Sequence, residues 1–228
     1  MLRMRVREVE RLQMADASAP KEHGDLPESL QRLAQRGVVK QFARGELLIR
    51  EGELGDTIFI VLGGSIKAYS ANDSHRELVF GTYGAGDYVG EMSLDGGPRC
   101  ASIVALEPTT CAVITRRTLR EHIGADPDFA FELIDRLIGR LRVATENARG
   151  LALLDTYGRL VKQLNARSAE RVDGMRAIVP RPTHVELASL IGCSREMVTR
   201  LLKDLEVGGY LEHVDGKLLL LKQLPAHW

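Results

Sequence analysis

Residues 183–222, THVELASLIGCSREMVTRLLKDLEVGGYLEHVDGKLLLLK, carry the clearest local structural signals of the C-terminal third. Thr183, with Glu186 three residues on, is a capping box that opens a helix over HVELASL. Ile191-Gly192-Cys193 stops that helix, and Ser194 caps the next one, REMVTRLLKDLEV, which Gly208-Gly209 ends. YLEHV and KLLLLK flank Asp215-Gly216, the residue pair of a type I′ hairpin turn. Helix, tight glycine turn, helix and hairpin predict a winged helix-turn-helix.

On the second helix Val198, Leu201, Leu202 and Leu205 form one apolar face at helical spacing, which leaves Arg195, Glu196, Thr199, Arg200 and Lys203 largely on the other. A helix of this kind meets base edges with its N-terminal residues. Arginine can bond guanine O6 and N7 together, and glutamate can accept from cytosine N4, so Arg195, Glu196 and Arg200 offer a reading set for two guanines and one cytosine. Thr183, Ser194 and the helix N-termini can hold phosphates. The same residues also fit an ordinary solvated helix with a Glu196–Arg200 pair at i, i+4. His184 and His213 lack any ligand spacing and read as surface or cap residues.

Working toward the N-terminus, TYGRLVKQLNAR is a helix that Asp155 can cap. Before it, Asp126 and Pro127 fit the cap and first turn of a long helix. Ala130, Ile134, Leu137, Leu141, Ala144, Ala148 and Leu151 follow at alternating spacings of four and three, an a/d seam. Such a stripe could pack on its own chain. A second line (Leu133, the stem of Arg140, Val143) is available for that purpose, which favours a homodimer interface across Ile134, Leu137, Leu141, Ala144, Ala148 and Leu151. Leu153 and Leu154 end the helix.

From about 38 to 115 the texture changes. Eleven glycines fall in the 53 residues from Gly45 to Gly97, between short runs such as TIFIVLGGSIKAYS, RELVFGTY and DYVGEM. Brief β-branched runs with Gly-rich turns predict an antiparallel β-roll. LPESLQRLAQRG forms a short helix before it, and residues 1–25 read as a disordered leader. The expected organisation is α+β: a leader at 1–25, a β-roll domain at 26–125, a dimerisation helix and hinge at 126–154, and the winged helix-turn-helix at 155–228. Within the roll, GDYVGEMSL and PRCAS set Gly90, Glu91 and Met92 on a turn, with Arg99 and Cys100 just beyond. A glycine permits close backbone approach to an anion, and an arginine can fork onto its oxygens. A structural Glu91–Arg99 ion pair fits the same residues.

The composition limits the mode of action. The 228 residues carry 31 Lys and Arg against 31 Asp and Glu, which excludes a blanket polycation and leaves only a local basic face. Aromatics at 5% disfavour a protein that stacks single-stranded bases. Three scattered cysteines suggest neither a disulfide framework nor a metal site, and imply a reducing compartment. No apolar run is long enough for a membrane span, so the expected location is the cytoplasm. Neither a nucleophile–base pair nor paired carboxylates are present, so an enzyme is not expected.

IGCSREMVTRLLKDLE closely resembles the recognition motif of the cyclic AMP receptor protein (CRP)/FNR family of bacterial transcription regulators. The likeness continues through RLRVATENARGLALLDTYGRL, the DGM of Asp173 to Met175, GDYVGEM and PRCAS, and covers all but the leader. The resemblance implies that Arg195, Glu196 and Arg200 read a palindromic TGTGA-type site on double-stranded DNA. It further implies that the N-terminal roll is a cyclic-nucleotide-binding jelly roll, in which Glu91 holds a ribose hydroxyl and Arg99 the cyclic phosphate. Cyclic AMP is then the first candidate effector, with cyclic GMP and cyclic di-GMP behind it, and no covalent or metal cofactor is implied. RNA polymerase is an implied partner through the loop from Ser168 to Met175. The chain departs from the pattern at Cys100, in the shorter Asp95–Pro98 loop, and at Ala144, where Thr145 keeps one of two adjacent hydroxyls. A regulatory subunit that binds a cyclic nucleotide without DNA is a rival that the reading helix argues against.

Overall fold

The computed structural model describes residues 26–73, 77–170 and 176–225; the leader, His75 and Asp173 to Met175 lie outside them. The chain divides into two compact units, one carried mainly by residues up to Leu141 and the other mainly by Arg142 onward.

The first unit opens with α1 (Glu28–Ala34) and continues as β1 (Val38–Phe42), β2 (Leu47–Ile49), β3 (Thr57–Gly63), β4 (Ser65–Ala71), β5 (Glu77–Gly84) and β6 (Tyr88–Val89). A 3₁₀ turn (Glu91–Ser93), β7 (Ser102–Ala105) and β8 (Thr109–Thr115) complete the strands, and α2 (Arg116–Ala125) and the long α3 (Asp128–Leu153) follow. Two four-stranded sheets, ordered β1-β8-β3-β6 and β2-β7-β4-β5, form the roll, with antiparallel pairings.

Strand β3 shows why its sequence is continuously apolar. Phe59 and Val61 point into the roll with Ile49, Ile66, Val89 and Ile103, while Ile58 and Ile60 pack with Leu30, Leu33, Leu119 and Phe129 of the helices. A strand covered on both faces has no polar side to alternate.

Helix α2 is absent from the sequence reading, although Leu119 and His122 repeat at helical spacing and both are buried. Ahead of α3, the Asp126 carbonyl accepts from Phe129 N at 3.3 Å, and its side chain accepts from Arg32 Nη2 of α1 at 2.6 Å. Of the line expected to serve the roll, Leu133 does so but Val143 is 47% exposed, one turn too far along the helix.

The second unit contains α4 (Thr156–Arg167), β9 (Ala169–Glu170), β10 (Arg176–Ile178), α5 (His184–Ile191), α6 (Arg195–Val207), β11 (Leu211–Val214) and β12 (Lys217–Leu220). Its sheet runs β11-β12-β10-β9, so the hairpin gains two short strands that the sequence did not signal. Asp155 caps α4 through Gly158 N, and Asp215 and Gly216 take φ of 45° and 72°, as a type I′ turn needs. The core unites Leu160, Leu164, Leu187, Ile191, Val198, Leu202, Leu205, Leu218 and Leu220.

Candidate nucleic-acid interface and anion cradle

Helix α5 begins with both halves of its capping box: Thr183 Oγ1 accepts from Glu186 N, and Glu186 Oε2 accepts from Thr183 N. It ends at Gly192, whose φ of 66° favours glycine. The chain turns at once into α6, where Ser194 Oγ accepts from Met197 N at 3.2 Å. Arg159 of α4 braces this corner by donating from Nε to Ile191 O.

The buried side of α6 is Val198, Leu202 and Leu205, which forces the other side outward. Arg195, Glu196, Thr199, Arg200 and Lys203 line one shallow exposed surface. Arg200 Nη2 lies 3.4 Å from Met197 Sδ, and no Glu196–Arg200 ion pair forms among the described residues. Its own backbone N–H, the Ser194 hydroxyl and Arg195 hold the Glu196 carboxyl below the usual carboxylate range, against a small burial effect. It is therefore an acceptor at neutral pH. His184 is more than a cap residue: its Nδ1 lies 2.7 Å from Thr199 Oγ1.

In the first unit, Gly90 follows β6 with φ of 93° and opens the 3₁₀ turn. A Cβ there would stand 2.7 Å from both Arg99 Nη1 and Thr57 O, so glycine is required for contact as well as for φ. Arg99 is 7% exposed and donates from Nη1 to Thr57 O and Gly90 O, each at 2.8 Å, and from Nη2 to Thr57 Oγ1 at 3.0 Å. These bonds commit three of the five guanidinium N–H groups. A Cβ on Gly55 would crowd Nη2 at 2.7 Å and Nε at 2.9 Å; the missing side chain keeps that edge clear. The arrangement can cradle an anionic oxygen, since Nε and the second Nη2 proton remain available.

Glu91 does not pair with Arg99. Its Oε1 accepts from Arg140 Nη1 at 2.6 Å, while Arg140 Nη2 donates to Tyr88 O. The Glu91 side chain is 4% exposed, and a buried carboxylate needs a close cation. Arg140 stands over the rings of Tyr83 and Tyr88 at 4.9 and 5.1 Å. Burial alone would lower the Arg140 pKa, but Glu91 and the two tyrosines outweigh it and the net shift is upward. Burial also pushes the Tyr88 hydroxyl up to about 12, against Arg140 and Arg136. Arg140 thus contributes its guanidinium as well as its stem, and an arginine on the roll-facing line of an amphipathic helix is the signal for it in the sequence.

At the rim, Met92 is 64% exposed and its Sδ lies 3.5 Å from Cys100 Sγ. Burial, then Glu91, raises the Cys100 thiol, so it stays protonated. Thr145 lies in the exposed stretch of α3 that belongs with the second unit. Ile134, Leu137, Leu141, Ala144, Ala148 and Leu151 are all exposed, Leu141 at 66%, whereas Ala130 is half-buried. Among the described residues no cluster of His, Cys, Asp or Glu could hold a metal, and no helix is long and apolar enough to cross a membrane.

A β-roll with an anion cradle and a winged helix-turn-helix with an open cationic reading surface define a DNA-binding regulator with a small-molecule domain. Residues 39–126 match the cyclic nucleotide-binding domain and residues 158–226 the Crp-like helix-turn-helix domain. The CRP-like cAMP-activated global transcriptional regulator of Mycobacterium tuberculosis is 31% identical over 200 residues, which span 86% of this chain and 88% of that one. The CRP-like protein Clp of Xanthomonas axonopodis pv. citri is 33% identical over 183 residues, 76% of this chain and 79% of Clp. Among solved structures, the c-di-GMP responsive global regulator CLP of Xanthomonas campestris superposes with a TM-score of 0.74 at 28% identity, covering 85% of this chain and 98% of that one. The chain belongs to the CRP/FNR family of cyclic-nucleotide-binding, DNA-binding transcription regulators.

Proposed function

We propose that the chain is a homodimeric regulator that reads a palindromic TGTGA-type duplex under the control of a cyclic nucleotide, cyclic AMP first. The observation that carries this reading is the retention of Arg195, Glu196 and Arg200 together on one unpaired, exposed helix face. Arg195 and Arg200 bond guanines and Glu196 accepts from a cytosine amine, while Ser194 and Thr183 sit at helix N-termini that attract phosphates. The exposed α3 stripe pairs with a second copy. Effector binding at Gly90, Glu91 and Arg99 resets that seam, so that the two recognition helices stand one DNA turn, about 34 Å, apart.

The cradle fits the effector. Arg99 keeps two N–H groups for a phosphate, and Glu91 keeps Oε2 for a ribose hydroxyl. Cyclic di-GMP is the second reading, favoured by the loss of one hydroxyl at Ala144 and by the likeness to CLP.

Gel retardation on a TGTGA-N6-TCACA duplex with each nucleotide, beside calorimetric titration, tests both statements. Retardation stimulated by one nucleotide is expected, and no retardation with any of them defeats the regulator reading. Glu196→Ala is expected to lose about 1–3 kcal/mol of discrimination at a single base pair. A uniform loss across all sequences would assign Glu196 a structural role instead.

A further inference from the structure

Four polar groups in the second unit form a chain whose direction can be deduced. Arg181 N donates to Gly216 O at the hairpin turn, at 2.8 Å. Arg181 Nη2 lies 3.4 Å from His184 Nε2, His184 Nδ1 lies 2.7 Å from Thr199 Oγ1, and Thr199 Oγ1 lies 2.9 Å from Arg195 O. A guanidinium has donors only, so Nε2 must be the acceptor and carries no proton. The one N–H of the neutral imidazole is then on Nδ1 and donates to Thr199 Oγ1. That leaves the hydroxyl proton to go to Arg195 O, a backbone acceptor within reach. The reverse order would set an Nε2–H against a guanidinium N–H, two donors face to face.

The consequence falls on the reading surface. Thr199 lines it with Arg195, Glu196, Arg200 and Lys203, yet its single hydroxyl proton is spent inside the helix. A threonine hydroxyl is ordinarily ambivalent, donor or acceptor as the partner demands. Here it can offer only a lone pair.

We propose that His184 is a positioning residue that fixes Thr199 as an acceptor, so that Thr199 selects a base pair presenting an exocyclic amine, cytosine N4 or adenine N6, in the major groove. This rests on α6 being the helix that enters the groove. The groups facing His184 keep the chain intact near neutrality. Burial first, then Arg181, His213 and Arg195, lower its proton affinity below the ordinary 6.5, with Glu206 opposing.

The test is selection from a half-site library, every position randomised, by the full-length wild type and by His184→Asn, His184→Ala, Thr199→Val and Glu196→Ala. Asparagine can place its amide N–H where Nδ1 stands. The wild type and His184→Asn should share a preference for an amine-bearing base at one position. Thr199→Val should lose that preference, and His184→Ala should weaken it, each by roughly threefold to tenfold, the worth of one neutral hydrogen bond. The positions read by Arg195 and Glu196 should be unchanged in both. The proposal is overturned if Thr199→Val keeps the preference, or if both His184 variants merely weaken binding to every sequence alike. If Glu196→Ala also leaves every position unchanged, the fault lies with α6 as the reading helix.

Discussion

Arg99→Ala is expected to abolish nucleotide-stimulated DNA retardation and to eliminate the calorimetric heat of nucleotide binding. The side chain bonds the Gly90 carbonyl and ties that turn to Thr57 across the roll. Removing it deletes the donors offered to a phosphate. It also leaves the Thr57 carbonyl without its guanidinium partner, at a cost of about 1–3 kcal/mol if that acceptor stays buried and unsatisfied, while Gly90 O keeps the Ser93 hydroxyl. A fall in the melting temperature of the first unit should therefore accompany the loss of response. Arg99→Lys separates the two effects, because it restores charge but not the planar fork. It should recover part of the stability and little of the response. Unchanged nucleotide stimulation in Arg99→Ala would mean that the cradle is misassigned.

The second large effect is expected from the double substitution Leu137→Asp, Leu141→Asp. In the single chain these leucines are 37% and 66% exposed, so aspartate there should move protomer stability by little, about 0.5 kcal/mol as at other surface positions. In a dimer the same positions lose contacts worth about 1.5–3 kcal/mol per buried leucine, and gain facing carboxylates. Sedimentation should show monomers, and retardation of the palindromic duplex should disappear with them. A variant that stays dimeric would place the interface elsewhere.

The parts of the molecule that were legible in sequence share a physical character. The Thr183–Glu186 capping box, the Gly192 stop, the Ser194 cap and the Asp215-Gly216 turn each depend on backbone groups within three or four residues, so residue type and spacing suffice. The apolar face of α6 follows from the helical period, and it exposes Arg195, Glu196 and Arg200 by exclusion. Helix α2 escaped because its apolar repeat is short and one of its buried members is a histidine, His122. Strands β9 and β10 escaped because three residues or fewer carry no period.

The class of fold, the order of its elements, the exposed polar face of α6 and the glycine turn at Gly90 were legible in sequence, since all of these rest on local rules. Which side chains pair was set by long-range packing. Glu91 takes Arg140 from 49 residues away rather than Arg99, because a buried carboxylate pairs with whichever cation the packing of α3 delivers. Arg99 turns to carbonyls of Gly90 and Thr57, and His184 meets Thr199 across the helix-turn-helix corner. Hydrogen-bond direction is a property of closed spatial networks, and no spacing in one dimension encodes where such a network closes.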